Sequence, residues 1–129
     1  MDIRVKLVSI PVADQQRSVQ FFTEKLGFRV TTDQPMGPGA RWIELTPPGG
    51  GVRVVPFVPQ EGMGGAKPGG FGAAIFTCAD VEATYRELLE RGVEFQQPYK
   101  EEPWGASCIF RDPDGNVFVL GSDVEAGVA

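Results

Sequence analysis

The stretch LVSIPVADQQRSVQFFTEKLGFRV, residues 7–30, decides the fold, because its pattern occurs twice in the chain. It begins with a strand-like run. Asp14 is then a good N-cap, since its carboxylate can accept hydrogen bonds from the free N–H groups of a first helical turn. Apolar residues recur at helical spacing, and Gly27 supplies the left-handed residue that ends a helix. With the strand-like run that follows, the stretch predicts a strand, a helix and a strand.

A second copy of this pattern, AAIFTCADVEATYRELLERGVEFQ, occupies residues 73–96. Asp80 stands where Asp14 does, and Gly92 stands where Gly27 does. Few residues are identical in the two copies, but the helix starts and ends recur. A repeat of this kind predicts two copies of one structural unit.

Each copy is followed by two further strand-like runs, so each unit is predicted to be β-α-β-β-β. The predicted strands are 5–12, 28–32, 41–46 and 52–58 in the first unit, and 72–78, 93–96, 106–111 and 117–121 in the second. Residues 33–39 are predicted to be a loop. DPDGN at 112–116 is predicted to be a tight turn rather than a calcium loop, because a strand follows it at once.

The chain is therefore expected to be a single α+β domain, residues 1–129, with modules 3–58 and 72–121 joined by the Gly-rich linker 59–71. Each helix has one apolar stripe and must cover one face of its own sheet. The uncovered faces are expected to form a curved mixed sheet with a concave cleft, where a ligand would bind.

Composition excludes several classes of function. The net charge is −5 with no stripe of Lys and Arg, so neither nucleic acid nor an anionic membrane is expected as a partner. No apolar run approaches the roughly 20 residues of a membrane span. We expect a cytoplasmic protein in which Cys78 and Cys108 are small buried thiols rather than a disulfide. The chain has no histidine, so it lacks the commonest general base and transition-metal ligand.

The repeated unit, the run FFTEKLGF at 21–28 and the run FRDPDGNVFVL at 110–120 together resemble the vicinal oxygen chelate superfamily. That group includes glyoxalase I, extradiol dioxygenases, fosfomycin-resistance enzymes and bleomycin-resistance proteins. The resemblance covers roughly residues 3–121. It implies the paired-module fold and, because relatives commonly form dimers, a homodimer. It does not imply one function, since the superfamily contains several reactions and pure binders.

The resemblance also implies where a metal would be held. Metal-using members take one ligand, commonly His, Gln or a carboxylate, from each of four strands. The matching positions here are Leu7, Val54, Ala73 and Val119. All four are apolar, and a shift of one residue brings none of the family's ligand types, so we expect no metal and no other cofactor. A carboxylate-only site for Mg²⁺ or Mn²⁺, built from Glu44, Glu101 or Glu102, stays open as an alternative.

Alternation along the strands predicts which side chains face the cleft. The predicted ligand-binding residues are Leu7, Ser9, Trp42, Glu44, Val54, Ala73, Ile75, Trp104, Ile109, Arg111 and Val119. This lining is mainly apolar with aromatic residues and a few polar anchors, which suits a small apolar or aromatic molecule.

Several of these residues have an alternative role. Each Trp either stacks on a ligand or belongs to the core or a dimer interface. Glu44 is a weak candidate for a general base if an apolar cleft raises its pKa, but it can instead pair with Arg53 or Arg41. Arg111 either holds an anionic ligand group or braces the turn beside Asp112.

Three functions are compatible with these observations. The first is a metal-free binding protein of the glyoxalase and bleomycin-resistance type. The second is an enzyme of the same fold, of the lyase, isomerase or dioxygenase kind, with a site that uses no histidine. The third, a partner protein, requires a large exposed apolar patch.

Overall fold

The structure is a computed structural model that describes residues 1–62 and 64–123, apart from the side chain of Ala73. Contacts between residues divide the chain into two compact units, unit 1 from Met1 to Gly69 and unit 2 from Gly70 onward. The division falls inside the predicted linker 59–71. Each unit contains one four-stranded sheet.

Unit 1 follows the predicted order of elements. They are β1 (Leu7–Pro11), α1 (Gln15–Gln20), a π-helical turn (Phe21–Lys25), β2 (Arg29–Pro35), β3 (Arg41–Thr46) and β4 (Arg53–Phe57). The strands lie in the order β1-β4-β3-β2. The β1 and β4 strands are parallel and the other neighbours are antiparallel.

The helix of unit 1 begins as predicted and then widens. The Asp14 side chain accepts a hydrogen bond of 3.1 Å from the backbone N–H of Arg17. The π-helical turn that continues α1 buries both Phe21 and Phe22, whose rings meet edge-on with centroids 5.5 Å apart. The Phe22 ring centroid lies 5.1 Å from that of Phe28, which opens the next strand segment. This contact ties the end of the helix to β2.

Unit 2 repeats the arrangement. Its elements are β5 (Phe71–Cys78), α2 (Val81–Glu90), β6 (Glu94–Glu102), β7 (Gly105–Arg111) and β8 (Val117–Ser122). The strand order is β5-β8-β7-β6, with β5 parallel to β8. The two units therefore have the same βαβββ topology, and the predicted α+β class with tandem βαβββ modules is confirmed.

An aromatic cluster forms the core of unit 2 beneath α2. The rings of Phe76, Phe110 and Phe118 lie within 6.1 Å of one another, centroid to centroid. Tyr85 of α2 contacts Phe95 of β6 edge-on at 4.7 Å. The helix and the sheet are thus joined mainly by apolar burial, the dominant favourable contribution to folding.

Two strands extend three or more residues past their predicted ends. The β2 strand extends to Pro35, so the predicted loop 33–39 begins too early. The β6 strand extends to Glu102, whereas the prediction ended at residue 96. Both are edge strands with little apolar alternation, and both contain register irregularities in their pairing. Each strand continues as far as it pairs with its neighbour, β3 or β7, and a local sequence pattern does not report such cross-strand pairing.

The turn at 112–116 is confirmed as a turn. The buried carboxylate of Asp112 accepts hydrogen bonds from the backbone N–H groups of Asp114 and Asn116, at 2.9 and 2.8 Å. It also accepts one from the Asn116 side chain at 2.9 Å. All three contacts are local, so the aspartate organises its own turn.

The two cysteines are free thiols, as predicted. Cys108 is buried and Cys78 is partly buried. They lie on β7 and β5, which β8 separates. Strands two places apart in a sheet are about 10 Å apart, which is too far for a disulfide. Within residues 1–62 and 64–123, no helix is long and apolar enough to cross a membrane.

Candidate functional site

The helix distinguishes the two faces of the unit 1 sheet. Arg41 donates a 3.1 Å hydrogen bond to Gln16 at the start of α1, so the odd-numbered side chains of β3 point toward the helix. Trp42 and Glu44 therefore point to the other face. We call this the open face of unit 1, and its residues include Leu7, Ser9, Trp42, Glu44, Arg53 and the buried Val55.

Val54 does not share that face. It pairs across the sheet with Val8 of β1 and Leu45 of β3, and it is only 1% exposed. Since directly paired residues point the same way, Val54 lies on the helix-covered side. The sequence predicted that Val54 lines the cleft, but the side chains of this strand that lie on the open face are those before and after it in the chain. The β4 side chain on the open face beside Leu7 is that of Arg53.

Glu44 is the centre of a polar network on the open face. Its carboxylate accepts a hydrogen bond from the indole Nε1 of Trp42 at 2.8 Å and one from Nη1 of Arg53 at 2.6 Å. The Glu44 side chain is 5% exposed, whereas that of Arg53 is 40% exposed. The Trp42 hydrogen bond and then the Arg53 hydrogen bond hold the pKa of Glu44 below its ordinary value.

This network bears on the two roles predicted for Glu44. A general base that works near neutral pH needs a raised pKa, and the pKa of this carboxyl is lowered. Of the roles considered for Glu44, the structure shows the ion pair with Arg53. Arg41 pairs instead with Asp33, at 2.7 Å, on the helix-covered side.

The open face of unit 2 is apolar at its centre. Ile75, Val119 and Ile109 are direct neighbours across β5, β8 and β7. Ile75 is 69% exposed within the described chain. Ser107 and Arg111 lie two residues to either side of Ile109 and point the same way. The predicted residues of β7 and β8 are therefore brought together; the side chain of Ala73 lies outside the described part of the chain.

Trp104 and Arg111 lie toward the two ends of β7. Trp104 is in the turn between β6 and β7 and is 64% exposed. Arg111 donates a 3.2 Å hydrogen bond to the side chain of Gln96 on β6. It therefore braces two strands, while Asp112 is held by Asn116.

The residues at the family's metal positions do not fit a metal. Leu7 and Val119 are aliphatic side chains on open faces, and Val54 points to the core. Within the described ranges 1–62 and 64–123, no group of three or more His, Cys, Asp or Glu is arranged to hold an ion. Divalent cations need several oxygen or nitrogen donors.

The carboxylates of the alternative metal site each have another partner. Glu44 binds Trp42 and Arg53, as above. Glu101 accepts a 2.7 Å hydrogen bond from the Tyr99 hydroxyl, and Glu102 pairs with Lys100 at 3.1 Å. We therefore derive no step through a metal.

Two other candidate groups for acid–base or nucleophilic chemistry are protonated near neutral pH. The hydrogen bond to Glu101, together with burial, raises the pKa of Tyr99 to about 12. Burial, with a smaller contribution from Cys78, raises the pKa of Cys108 to about 11. A thiol in this state is a poor nucleophile, because the thiolate is the reactive form.

Comparison with known proteins identifies the family. The model of the glyoxalase/bleomycin resistance protein/dioxygenase superfamily matches residues 4–120. The chain belongs to this superfamily. The uncharacterized protein YetH of Bacillus subtilis (strain 168) is 39% identical over 117 residues, which are 91% of this chain and 96% of that protein.

Solved structures of the superfamily agree. A member from Sphaerobacter thermophilus DSM 20745 has a TM-score of 0.86 at 34% identity, covering 95% of this chain and 99% of that one. TnmS3 from Streptomyces sp. CB03234, described as an antibiotic binding protein, has a TM-score of 0.81 at 37% identity, covering 95% and 98%. This superfamily chain therefore resembles a known binding protein along nearly its whole length.

Proposed function

We propose that this superfamily member is a metal-independent binding protein for a small apolar or aromatic molecule. The observation that carries the proposal is the chemistry of the open faces. Ile75, Ile109 and Val119 form an apolar row in unit 2, and Leu7 lies on the open face of unit 1. Leu7 and Val119 occupy positions where metal-using relatives have donors. Apolar surface with a few polar groups is typical of small-molecule sites.

The similarity to TnmS3 supports a compound of antibiotic type as the ligand. That protein is described as antibiotic binding, and it is 37% identical to this chain. We propose the class of ligand only, because one fold hosts many specificities.

The states of the titratable groups support binding rather than catalysis. Glu44 is held as a paired carboxylate, while Tyr99 and Cys108 are held protonated near neutral pH. The lowered pKa makes Glu44 a weaker base than an ordinary carboxylate, and the protonated forms of Tyr99 and Cys108 are the less reactive forms for nucleophilic attack.

The first experiment measures metal content of protein purified without a metal affinity step, together with thermal shifts in Mg²⁺, Mn²⁺, Ni²⁺ and Zn²⁺. We expect no stoichiometric metal and no rise in Tm, and a rise in Tm with aromatic compounds from an antibiotic library. As the control, each compound is also measured with protein in buffer that contains no added metal. One tightly bound ion per chain, with a matching rise in Tm, would overturn the proposal.

We further propose that the chain forms a homodimer. Phe71 and Ile75 are 66% and 69% exposed on β5, an edge strand of the unit 2 sheet. Exposed apolar rows of this kind are commonly covered by a partner. Sedimentation at micromolar concentration is expected to report a particle of twice 13.9 kDa, and a monomer alone would refute the dimer.

The expected cytoplasmic location stays a prediction that cell fractionation can check.

A further inference from the structure

The network on the open face of unit 1 is asymmetric in its exposure. Glu44, the anion, is 5% exposed, whereas Arg53, the cation, is 40% exposed. The carboxylate already accepts from Trp42 and Arg53. A molecule on this face therefore meets the guanidinium and the indole rather than the carboxylate.

Hydrogen-bonding capacity points the same way. A guanidinium has five N–H donors, and the one contact described for the Arg53 side chain uses Nη1. Among residues 1–62 and 64–123, the other N–H groups of the Arg53 guanidinium have no hydrogen-bond partner. They can serve an acceptor atom of a ligand without breaking the contact with Glu44.

The local charge is also positive. Lys6 lies close enough for its charge to help lower the pKa of Glu44. Two cations, Lys6 and Arg53, thus accompany one anion. The chain as a whole is acidic, at −5, but a bound molecule responds to nearby groups more than to distant screened ones.

We propose that Arg53 recognises an acceptor oxygen of the bound aromatic molecule, such as a carboxylate, phenolate or carbonyl oxygen, and that Glu44 positions Arg53 and Trp42 for this contact. The inference rests on the proposed binding function and specifies its ligand class. An aromatic ligand with an ammonium group at this point would be disfavoured, although the net charge of the chain alone would favour it.

Three probes of one shape test the inference: 2-naphthoate, 2-naphthamide and 2-naphthylmethylammonium. Calorimetric titration is expected to give at least about tenfold tighter binding for naphthoate than for the ammonium, since charge-assisted hydrogen bonds are the stronger kind. Arg53→Met is expected to weaken naphthoate binding about tenfold and to remove the preference. Arg53→Lys is expected to restore part of the preference, because it keeps the charge.

Arg41→Met is the matched control. Arg41 is 39% exposed and also pairs with a carboxylate of its own sheet, that of Asp33, but on the helix-covered side. It is expected to leave all three affinities unchanged. Thermal melts establish that each variant is folded before titration.

The outcomes separate the inference from the function. Loss of the naphthoate preference in Arg53→Met but not in Arg41→Met supports the inference. Equal binding of the three probes by the native protein, or an unchanged preference in Arg53→Met, overturns it while the binding function stands. If folded native protein binds none of the probes, both are overturned.

Discussion

Arg53 and Glu44 form a 2.6 Å ion pair that joins β4 to β3 on the open face of unit 1. A carboxylate whose pKa is lowered on folding adds stability above its ordinary pKa, here 4.5. That stability is lost as pH falls through the lowered value. Glu44→Gln is therefore expected to lower Tm near neutral pH. Below about pH 4.5, the Tm of this variant is expected to fall less steeply with decreasing pH than that of the native protein. Melts from pH 7 to pH 3 test this prediction.

The control for that series is Glu94→Gln, which removes an exposed carboxylate on β6. It is expected to leave the acid limb of the Tm curve close to that of the native protein. If Glu44→Gln gave a curve parallel to the native one at every pH, the folded pair would have no effect on acid stability.

Ser18 offers a stabilising substitution. Its side chain is fully buried, and its hydroxyl has no hydrogen-bond partner among the described residues. Ser18→Ala removes a desolvated polar group and improves helix propensity, so we expect a gain of about 1 kcal/mol in the free energy of unfolding. Thr31→Val is the contrasting variant and is expected to bring no such gain, because the Thr31 hydroxyl has a partner: it lies 2.8 Å from the hydroxyl of Thr46. Urea unfolding that showed a loss for Ser18→Ala would contradict the prediction.

Asp112 is expected to be the most sensitive residue of the β7–β8 turn. Asp112→Ala removes the 2.9 Å hydrogen bond with the Asn116 side chain, itself 1% exposed, and the acceptor of two backbone N–H groups. The loss is expected to be about 2–3 kcal/mol in the free energy of unfolding. Asp112→Asn keeps an oxygen for the two backbone N–H groups and should lose less. Equal unfolding midpoints in denaturant for the native protein and Asp112→Ala would refute this account.

Gly92 ends α2 with a φ of +83°. An added Cβ would meet no atom within 4 Å, so Gly92→Ala tests backbone strain alone. We expect a loss of about 1 kcal/mol. Gly70→Ala, which also meets nothing within 4 Å, is expected to be neutral. A neutral Gly92→Ala in thermal unfolding would show that the helix end relaxes.

The two tryptophans should be distinguishable by fluorescence. Trp104 is 64% exposed, while Trp42 is partly buried and donates its indole N–H to Glu44. Trp104→Phe is expected to shift the emission to shorter wavelength and to reduce quenching by acrylamide. Trp42→Phe is expected to do the reverse. Identical quenching in the two variants would contradict the difference in exposure.

Much of each module followed from local patterns. The N-caps Asp14 and Asp80 and the helix-ending Gly27 and Gly92 are single residues with strong conformational preferences, and the structure uses all four as predicted. Strand β3 matches the predicted range, and its alternate residues Ile43 and Leu45 are fully buried. The edge strands β2 and β6 were predicted poorly, since their length depends on the neighbour with which they pair.

The sequence by itself determined the repeat, the helix boundaries, the aliphatic character of Leu7 and Val119 and the absence of histidine, because each is a property of one residue or of a short run. Only the tertiary structure decided that Val54 faces the helix, that Arg53 lies on the open face, and that Glu44 is a paired carboxylate. Those facts depend on the register between β1, β3 and β4. A shift of one residue in that register would move every side chain of β4 to the opposite face.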